Sequence, residues 1–221
     1  MAKTTMLVLY HSQPTGNSYK VRLLLSILRI PYTAIEVDIF NGDNKSAAYR
    51  RINPLGKAPA LRLEDKSILT ESNAILCYLA SGTQYFPSDA LLRAKVLQWM
   101  FFEQYSHLPY VGVARFYLHL LKKPPPRDDD LAIWHLRGNI ALEVIDRHLA
   151  KKQWLAADTF TIADIALYAY THVAPEGGFD LSKYRGVQRW LKRMKSRPGY
   201  VPLMQAPPVV GRFSRTAEIT A

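Results

Sequence analysis

Two short motifs contain residue types that can bind a small peptide. The first is Asn53-Pro54-Leu55-Gly56-Lys57-Ala58-Pro59, and the second is Glu71-Ser72, which follows in front of an apolar run. The first string predicts a turn and then a backbone segment of restricted conformation. The second predicts a helix start, where free N–H groups and the positive end of the helix dipole favour a carboxylate. Together the two motifs suit an extended, charged peptide ligand.

The elements that must position these motifs follow from hydrophobic periodicity. Apolar patterns predict strands over 5–10, 32–37, 60–63 and 67–70, and helices before residue 31, around 46–51 and over 72–80. The order β-α-β followed by β-β-α requires two parallel strands and a hairpin in the same sheet. The sequence therefore predicts an α/β thioredoxin-like N-terminal domain over residues 1–83.

The remainder of the chain is predicted to be helical. Four long helical patterns cover about 89–121, 128–150, 161–174 and 183–195, and three consecutive prolines at 124–126 separate the first two. Thr161 and Asp164 have the spacing of a capping box, which indicates a folding role. These patterns predict an all-α C-terminal helical domain over 89–221. Its tail, residues 207–221, is predicted to be an extended segment that covers the helices.

Composition limits the classes of function. The chain has 221 residues, 48% of them hydrophobic and 21% charged, which indicates a globular protein with a full core. A net charge of +11 favours anionic partners. No apolar run reaches the roughly 20 residues that span a bilayer, and the start of the sequence lacks signal-peptide features, so we expect a cytoplasmic protein without a membrane partner. The single cysteine, Cys77, excludes an internal disulfide, and no metal site is predicted.

The two motifs, the Thr161–Asp164 cap and the order of elements together resemble the soluble glutathione transferase family over nearly the whole chain. The resemblance implies the glutathione transferase fold, with glutathione as co-substrate and no metal. It implies a cis peptide bond before Pro59 and pairing of the Ala58 backbone with the cysteinyl part of glutathione. It further implies that Ser72 binds the γ-glutamyl carboxylate and that Glu71 receives the α-amino group.

The residues that would contact glutathione also have structural explanations. Ser72 can simply cap its helix, with Glu71 beside it in the first turn, although the proline turn before them favours a binding role. For the glycine carboxylate, Asn44 matches a polar contact position of Nu-class chains. Lys45 and Lys57 would add positive charge, and each can equally be an ordinary surface lysine.

The loop before the first helix is predicted to activate the thiol. A bound thiol is nucleophilic as a thiolate, so the site must supply hydrogen-bond donors or positive potential. Thr15-Gly16-Asn17 is similar to the Thr-Pro-Asn segment of the bacterial Nu-class transferases, with Gly16 at the proline position. We therefore predict Thr15 and Asn17 as thiolate donors. Ser12 is the alternative, because the alignment of the loop can shift by three residues around Pro14.

The resemblance places the second substrate between the domains, near Tyr105 and Arg115. The aromatic stretch 101–117 would supply an apolar wall, and Arg115 would meet an anionic group such as a second glutathione. The structural alternative is a set of core aromatic residues with a solvated arginine.

The predicted function is that of a glutathione transferase, which conjugates small electrophiles in detoxification. The Nu-like loop adds a second activity, the reduction of small disulfides by glutathione. One alternative is a non-catalytic interaction or regulatory protein of the same fold. Another is nucleic-acid binding by the seven Lys and Arg residues of 183–197, but no nucleic-acid motif accompanies them. The family pattern implies a homodimer, and neither nucleic acid nor membrane is a predicted partner.

Overall fold

The computed structural model of the chain describes residues 6–207 and 210–215, which form two compact units. The sheet unit comprises Met1–Leu79 together with Val201–Ala221, and the helical unit comprises Ala80–Tyr200. The sequence predicted a division at residues 83–89, whereas these units divide between Leu79 and Ala80. A second boundary, between Tyr200 and Val201, was not predicted, because residues 201–207 and 210–215 belong to the sheet unit rather than to the helical unit.

The sheet unit has the predicted order of strands and helices. Its elements are β1 (Leu7–His11), α1 (Gly16–Leu28), β2 (Tyr32–Glu36), α2 (Ala47–Ile52), β3 (Ala60–Arg62), β4 (Ile68–Thr70), α3 (Ser72–Leu79) and β5 (Val210–Arg212). The strand order is β4-β3-β1-β2-β5. β1 and β2 are parallel, whereas β3 is antiparallel to both β1 and β4. This is the predicted thioredoxin-like arrangement with one strand added; residue 5 of the first predicted strand lies outside the described residues.

The added strand corrects the prediction for the C-terminal tail. The expectation that residues 207–221 cover the helical domain is wrong for their described part, because β5 pairs in parallel with β2. The Phe213 N–H also donates to the Glu36 carbonyl at 2.8 Å. The Phe213 ring packs edge-on against Tyr49 and Tyr10, with centroids 5.4 and 6.5 Å apart. β5 thus pairs with backbone groups of β2 that would otherwise lie at the sheet edge. Residues 208–209 and 216–221 lie outside the described residues.

The helical unit matches the four predicted helical patterns. Its elements are α4 (Ala90–Phe102), a π-helical stretch (Glu103–Gly112), α5 (Val113–Arg115), a second π-helical stretch (Phe116–Leu121), α6 (Asp130–Leu149), α7 (Ile162–Thr171), a 3-10 turn (Ala174–Gly177) and α8 (Arg185–Lys195). The first pattern is continuous but widens to π-helical turns, and Pro109, which has no N–H to donate, lies within them. In the part of the chain that the structure describes, no helix is both long and apolar enough for a membrane span.

The predicted capping box at the start of α7 is confirmed. Asp164 accepts from the Thr161 N–H at 3.0 Å, and both halves of the box are present. The same buried carboxylate also accepts from the Leu155 N–H and from the Trp190 indole. Burial raises the pKa of Asp164 to about 6, although its hydrogen bonds favour the ionised form. The role of this motif is to join three parts of the helical unit.

Candidate functional site

The turn before β3 is fixed by side chains behind it. The Lys57 carbonyl accepts from the Asn53 amide at 2.7 Å and from the Tyr49 hydroxyl at 3.0 Å. The Ala58–Pro59 peptide bond is cis, as the resemblance implied. Ala58 lies just outside the β3 ladder, and its backbone makes no hydrogen bond with the described residues. Its N–H and C=O are therefore available to an added extended peptide.

Gly56 and Asn44 hold the first half of this turn in one conformation. Gly56 has φ +61°, and a Cβ there would lie 2.7 Å from the Asn44 carbonyl oxygen. The Asn44 amide donates to the Gly56 carbonyl at 2.7 Å. Asn44, predicted to contact the glycine carboxylate, thus has a structural contact that orders the turn. Lys45 and Lys57 are exposed, as a contact to a carboxylate or to solvent would both allow.

Glu71 and Ser72 lie where β4 ends and α3 begins. Glu71 has φ +63°, a conformation that costs a non-glycine residue about 1–3 kcal/mol and is concentrated at functional sites. Its side chain is exposed. Ser72 is the first residue of α3, so its N–H is one of the free amides at the helix start. The pair therefore presents a carboxylate and an anion-binding amide next to each other.

A directed chain of hydrogen bonds runs from Lys20 through Ser72 to Asn17. The fully buried Lys20 ammonium lies 3.3 Å from Ser72 Oγ and 3.3 Å from Asn73 Oδ1. Ser72 Oγ in turn donates to Asn17 Oδ1 at 3.2 Å. An ammonium can only donate, so the Ser72 hydroxyl accepts from Lys20 and its single proton goes to Asn17. The Asn17 carbonyl oxygen is thereby fixed toward Ser72.

The chain determines what Asn17 offers to a ligand. Because its oxygen is occupied, the two N–H bonds of its amide point away from Ser72, and they have no acceptor among the described residues. Asn17 also lies in the first turn of α1, where backbone N–H groups are free and the dipole is positive. This arrangement can stabilise an anion such as a thiolate.

Thr15 and Ser12 are less available than Asn17 to donate a hydrogen bond to a ligand. The Thr15 hydroxyl lies 2.9 Å from both the Ser12 carbonyl and Ser18 Oγ, so its one proton is already shared inside the loop. Ser12 is buried, its N–H donates to Ser18 Oγ, and its carbonyl accepts from the Thr15 N–H and from the Thr15 hydroxyl. The structure therefore brings Asn17 and Ser72 together and favours Asn17 over Ser12 as a donor to a thiolate.

Sequence reasoning missed the buried charges around this loop. Lys20 lies four residues before Leu24 and eight before Leu28, so its place on the apolar face of α1 was a usable signal. Arg22 is also buried. Burial and the Arg22 charge lower the pKa of His11 to about 3, so its approach to Glu36 at 3.4 Å involves a neutral ring. Burial raises the pKa of Glu36.

The two residues predicted to meet the second substrate belong to the helical unit and differ in environment. Tyr105 is 83% exposed. Arg115 is only 2% exposed, and its Nε donates to Glu176 at 2.6 Å, which gives the guanidinium an internal partner. This geometry favours a structural role for Arg115. Across the described residues no cluster of His, Cys, Asp and Glu side chains is suited to a metal ion.

The chain is similar in sequence and in structure to glutathione S-transferases. A model of the glutathione S-transferase N-terminal domain matches residues 16–81, and one of the C-terminal domain matches residues 137–198. Disulfide-bond oxidoreductase YfcG of Escherichia coli (strain K12) is 30% identical over 200 residues, which cover 87% of this chain and 92% of the relative. The crystal structure of a glutathione S-transferase from Pseudomonas fluorescens Pf-5 superimposes with a TM-score of 0.88 and 48% identity, over 90% of this chain and 100% of the other. A glutathione transferase from Pseudomonas putida, with one glutathione disulfide bound per subunit, has a TM-score of 0.78 and 29% identity over 90% of each chain.

Proposed function

The chain belongs to the glutathione S-transferase family, and from this premise we propose that it is a glutathione transferase. Glutathione is its co-substrate, and the bound thiol reacts with small electrophiles or with disulfides. The disulfide activity is supported by the similarity to YfcG, a disulfide-bond oxidoreductase. A loop of the Nu type accords with that activity, and Thr15 and Asn17 are the residues that carry the class assignment.

One observation carries the proposal: the chain of hydrogen bonds from Lys20 through Ser72 to Asn17. It orients the Asn17 amide so that its N–H bonds are free at the positive end of α1. A thiolate placed there is stabilised by a hydrogen bond and by the helix dipole, which lowers the pKa of the thiol. We assign Asn17 as the principal donor, with Thr15 as a second donor whose proton must leave its loop partner.

The rest of glutathione is assigned to the two motifs. The free N–H and C=O of Ala58, beside Pro59, pair with the cysteinyl backbone as an added strand would. The Ser72 N–H takes the γ-glutamyl carboxylate, and the exposed Glu71 carboxylate takes the α-amino group. Lys57, next to Ala58, supplies positive charge toward the glycine carboxylate.

Both reactions begin with the thiolate and need no protein cysteine. In conjugation, the sulfur forms a bond to an electrophilic carbon, and the leaving group departs with the bonding electron pair. In disulfide reduction, the sulfur attacks one sulfur of the substrate, a new S–S bond forms, and the displaced thiolate takes up a proton. A second glutathione then resolves the mixed disulfide, which yields glutathione disulfide and the reduced product.

The proposal extends to assembly and location. Family members form two-fold homodimers, and the helical unit has exposed apolar side chains that such contact would bury. They are Leu91, Phe101, Tyr105, Ile133, Leu136 and Ile140. A cytoplasmic location fits a glutathione-dependent enzyme, because that compartment maintains reduced thiols. Fractionation of cells that express the protein tests the location.

Substitution of Asn17 tests the proposed site. We expect Asn17→Ala to raise the pKa of the bound glutathione thiol by about one unit, because one charge-assisted hydrogen bond of about 1.5 kcal/mol is lost. The value of kcat/KM at neutral pH should fall roughly tenfold or more for an aromatic halide and for a small mixed disulfide. The thiol pKa is read from the ultraviolet absorbance of the thiolate in the binary complex.

Two further variants complete this experiment. Asn139→Ala is the matched control, because the Asn139 Oδ1 likewise accepts a hydrogen bond from a side-chain hydroxyl, that of Tyr184, but in the helical unit. Lys20→Met removes the donor that fixes the Ser72 proton, and we expect it to change the thiol pKa in the same direction as Asn17→Ala. Equal kinetics for Asn17→Ala and the control would exclude the assignment of Asn17. Glutathione binding without turnover of either substrate would indicate the non-catalytic alternative, and the absence of binding would overturn the proposed function.

A further inference from the structure

The C-terminal segment 201–207 is attached to the loop that precedes α1. Tyr19 of α1 donates its hydroxyl proton to the Val201 carbonyl at 2.7 Å. The Gln13 side-chain amide donates to the Leu203 carbonyl at 3.1 Å and to the Gln205 carbonyl at 2.9 Å. These contacts join positions that are more than 180 residues apart in the sequence. Residues 201–207 are therefore bound to the sheet unit by contacts that do not involve β5.

Gln13 is held by its backbone as well as by its side chain. Its N–H donates to Glu36 Oε1 at 2.9 Å, and its carbonyl accepts from Arg22 Nη2 at 2.8 Å. One residue of the loop is therefore tied to β2, to α1 and to the C-terminal segment. Because Gln13 directly follows Ser12 and lies two residues before Thr15, its position limits where Thr15 and Asn17 can lie.

Arg22 also joins Gln13 to the C-terminal segment 201–207. It is 2% exposed, and its guanidinium donates to three carbonyl groups. Nη1 donates to Gln205 at 3.0 Å, while Nη2 donates to Leu203 and to Gln13, both at 2.8 Å. A planar guanidinium presents its five N–H donors in a rigid fork, whereas a lysine ammonium is a compact charge with three donors on a flexible side chain. Burial lowers the pKa of Arg22, and the nearby Glu36 carboxyl opposes that effect.

We propose that segment 201–207 is a positioning element of the thiol-activating loop, acting through Gln13 and Arg22. This inference rests on the proposed function, since the loop is the site of thiolate stabilisation. Neither Gln13 nor Arg22 touches the reacting atoms in this assignment. They hold the loop so that the Asn17 amide and the first-turn N–H groups of α1 meet the sulfur. A donor displaced by a fraction of an ångström stabilises the thiolate less, because hydrogen bonds depend steeply on distance and angle.

The decisive variant is Gln13→Ala, which removes the two side-chain bonds to the C-terminal segment and leaves the backbone of the loop intact. Gln188→Ala is its matched control, because the Gln188 amide also donates to two carbonyl groups, those of Leu181 and Ser182, each at 2.9 Å. In wild-type protein and both variants, we would measure the pKa of the bound glutathione thiol, the pH profile of kcat/KM and the melting temperature. Hydrogen–deuterium exchange of the ligand-free proteins would report on residues 12–18.

For Gln13→Ala we expect a thiol pKa raised by about half a unit to one unit. The value of kcat/KM at neutral pH should fall roughly three- to tenfold and recover as the pH rises above the thiol pKa. Exchange over residues 12–18 should become faster. Gln188→Ala should lower the melting temperature without changing the thiol pKa or exchange in the loop. Arg22→Lys should change the thiol pKa, kcat/KM and the exchange of residues 12–18 in the same directions as Gln13→Ala. The reason is that the planar guanidinium is lost while the positive charge is kept.

Two results would overturn the inference. One is an unchanged thiol pKa in Gln13→Ala together with a lower melting temperature, which is the outcome of a purely structural contact. The other is unchanged exchange over residues 12–18 in the ligand-free variant. The exchange measurement does not depend on glutathione, so it decides the positioning role even if the wild-type protein binds no glutathione. A wild-type protein that binds no glutathione would instead refute the proposed function.

Discussion

For single side chains, the direction of each hydrogen bond determines the chemistry of the site. Asn17, Ser72 and Lys20 were each recognisable as polar residues, but only their contacts show which group donates. The buried ammonium of Lys20 leaves Ser72 one way to place its proton, and this fixes which end of the Asn17 amide faces a ligand. The same reasoning lowers the importance of Thr15, whose hydroxyl has partners within the loop. Ser12 is buried, which lowers its importance as well.

His172 gives a prediction about stability and pH. Burial lowers its pKa from 6.5 to about 4, with a smaller lowering by Arg115 and Lys195. The hydrogen bond to the Tyr168 carbonyl and the Glu176 charge oppose this effect. Because the unfolded chain takes up the proton at higher pH than the folded chain, stability is lost as the pH falls from 6.5 toward 4. Between pH 6.5 and 4.5 we expect His172→Asn to lose less stability than the wild type, by roughly 2 kcal/mol.

Urea unfolding at a series of pH values measures this difference. Asp164 has the opposite effect on the pH dependence of stability. Its pKa is raised to about 6, so its contribution to the free energy of unfolding declines as the pH rises. The test is for this reason the difference between wild type and variant, not the wild-type curve alone. His119→Asn serves as control, because that side chain is 48% exposed. Parallel curves for wild type and His172→Asn would contradict the prediction.

Among the structural elements, the turn between α2 and β3 shows how a short motif becomes rigid. The sequence indicated its proline-restricted backbone, and the structure adds the side chains of Tyr49, Asn53 and Asn44 that hold it from behind. These residues come from α2 and its flanking loops. A rigid turn presents the free backbone of Ala58 in one orientation, which reduces the entropy lost when an extended ligand binds.

Gly56 is the position at which this turn tolerates least change. Gly56→Ala should lower the free energy of unfolding by about 2–3 kcal/mol, because φ is +61° and the new Cβ would lie 2.7 Å from the Asn44 carbonyl. Gly42→Ala is the control, since Gly42 has φ +82° with no atom within 4 Å of a Cβ. It should lose only about 1 kcal/mol. Chemical unfolding compares the two, and equal losses would show that the close approach to Asn44 has no effect.

On the scale of the whole molecule, exposed apolar side chains are the main clue to assembly. Ile133, Leu136, Ile140 and Val144 form one stripe along α6 at helical spacing and remain exposed in the single chain. Such a surface is typical of a protein–protein contact.

We predict that the protein in solution has twice the molar mass of the chain. Leu136→Glu should shift it toward the mass of one chain, because a carboxylate within an apolar contact is desolvated without a partner. Lys151→Glu, an exposed position just beyond α6, controls for the added carboxylate. Light scattering over a range of protein concentrations measures the mass. A wild-type protein that has the mass of one chain at all concentrations would rule out the homodimer.

The sequence by itself determined the features that depend on near neighbours. Strand and helix order, the capping box of Thr161 and Asp164 and the proline turn were predicted correctly, because periodicity and backbone restriction act over a few residues. The motifs also sufficed to indicate the family. Only the tertiary structure decided the pairing of β5 with β2, the chain from Lys20 to Asn17 and the attachment of Gln13 to residues 203–205. These features join distant parts of the chain, and no local pattern specifies which carbonyl or strand edge a donor will meet once the chain is folded.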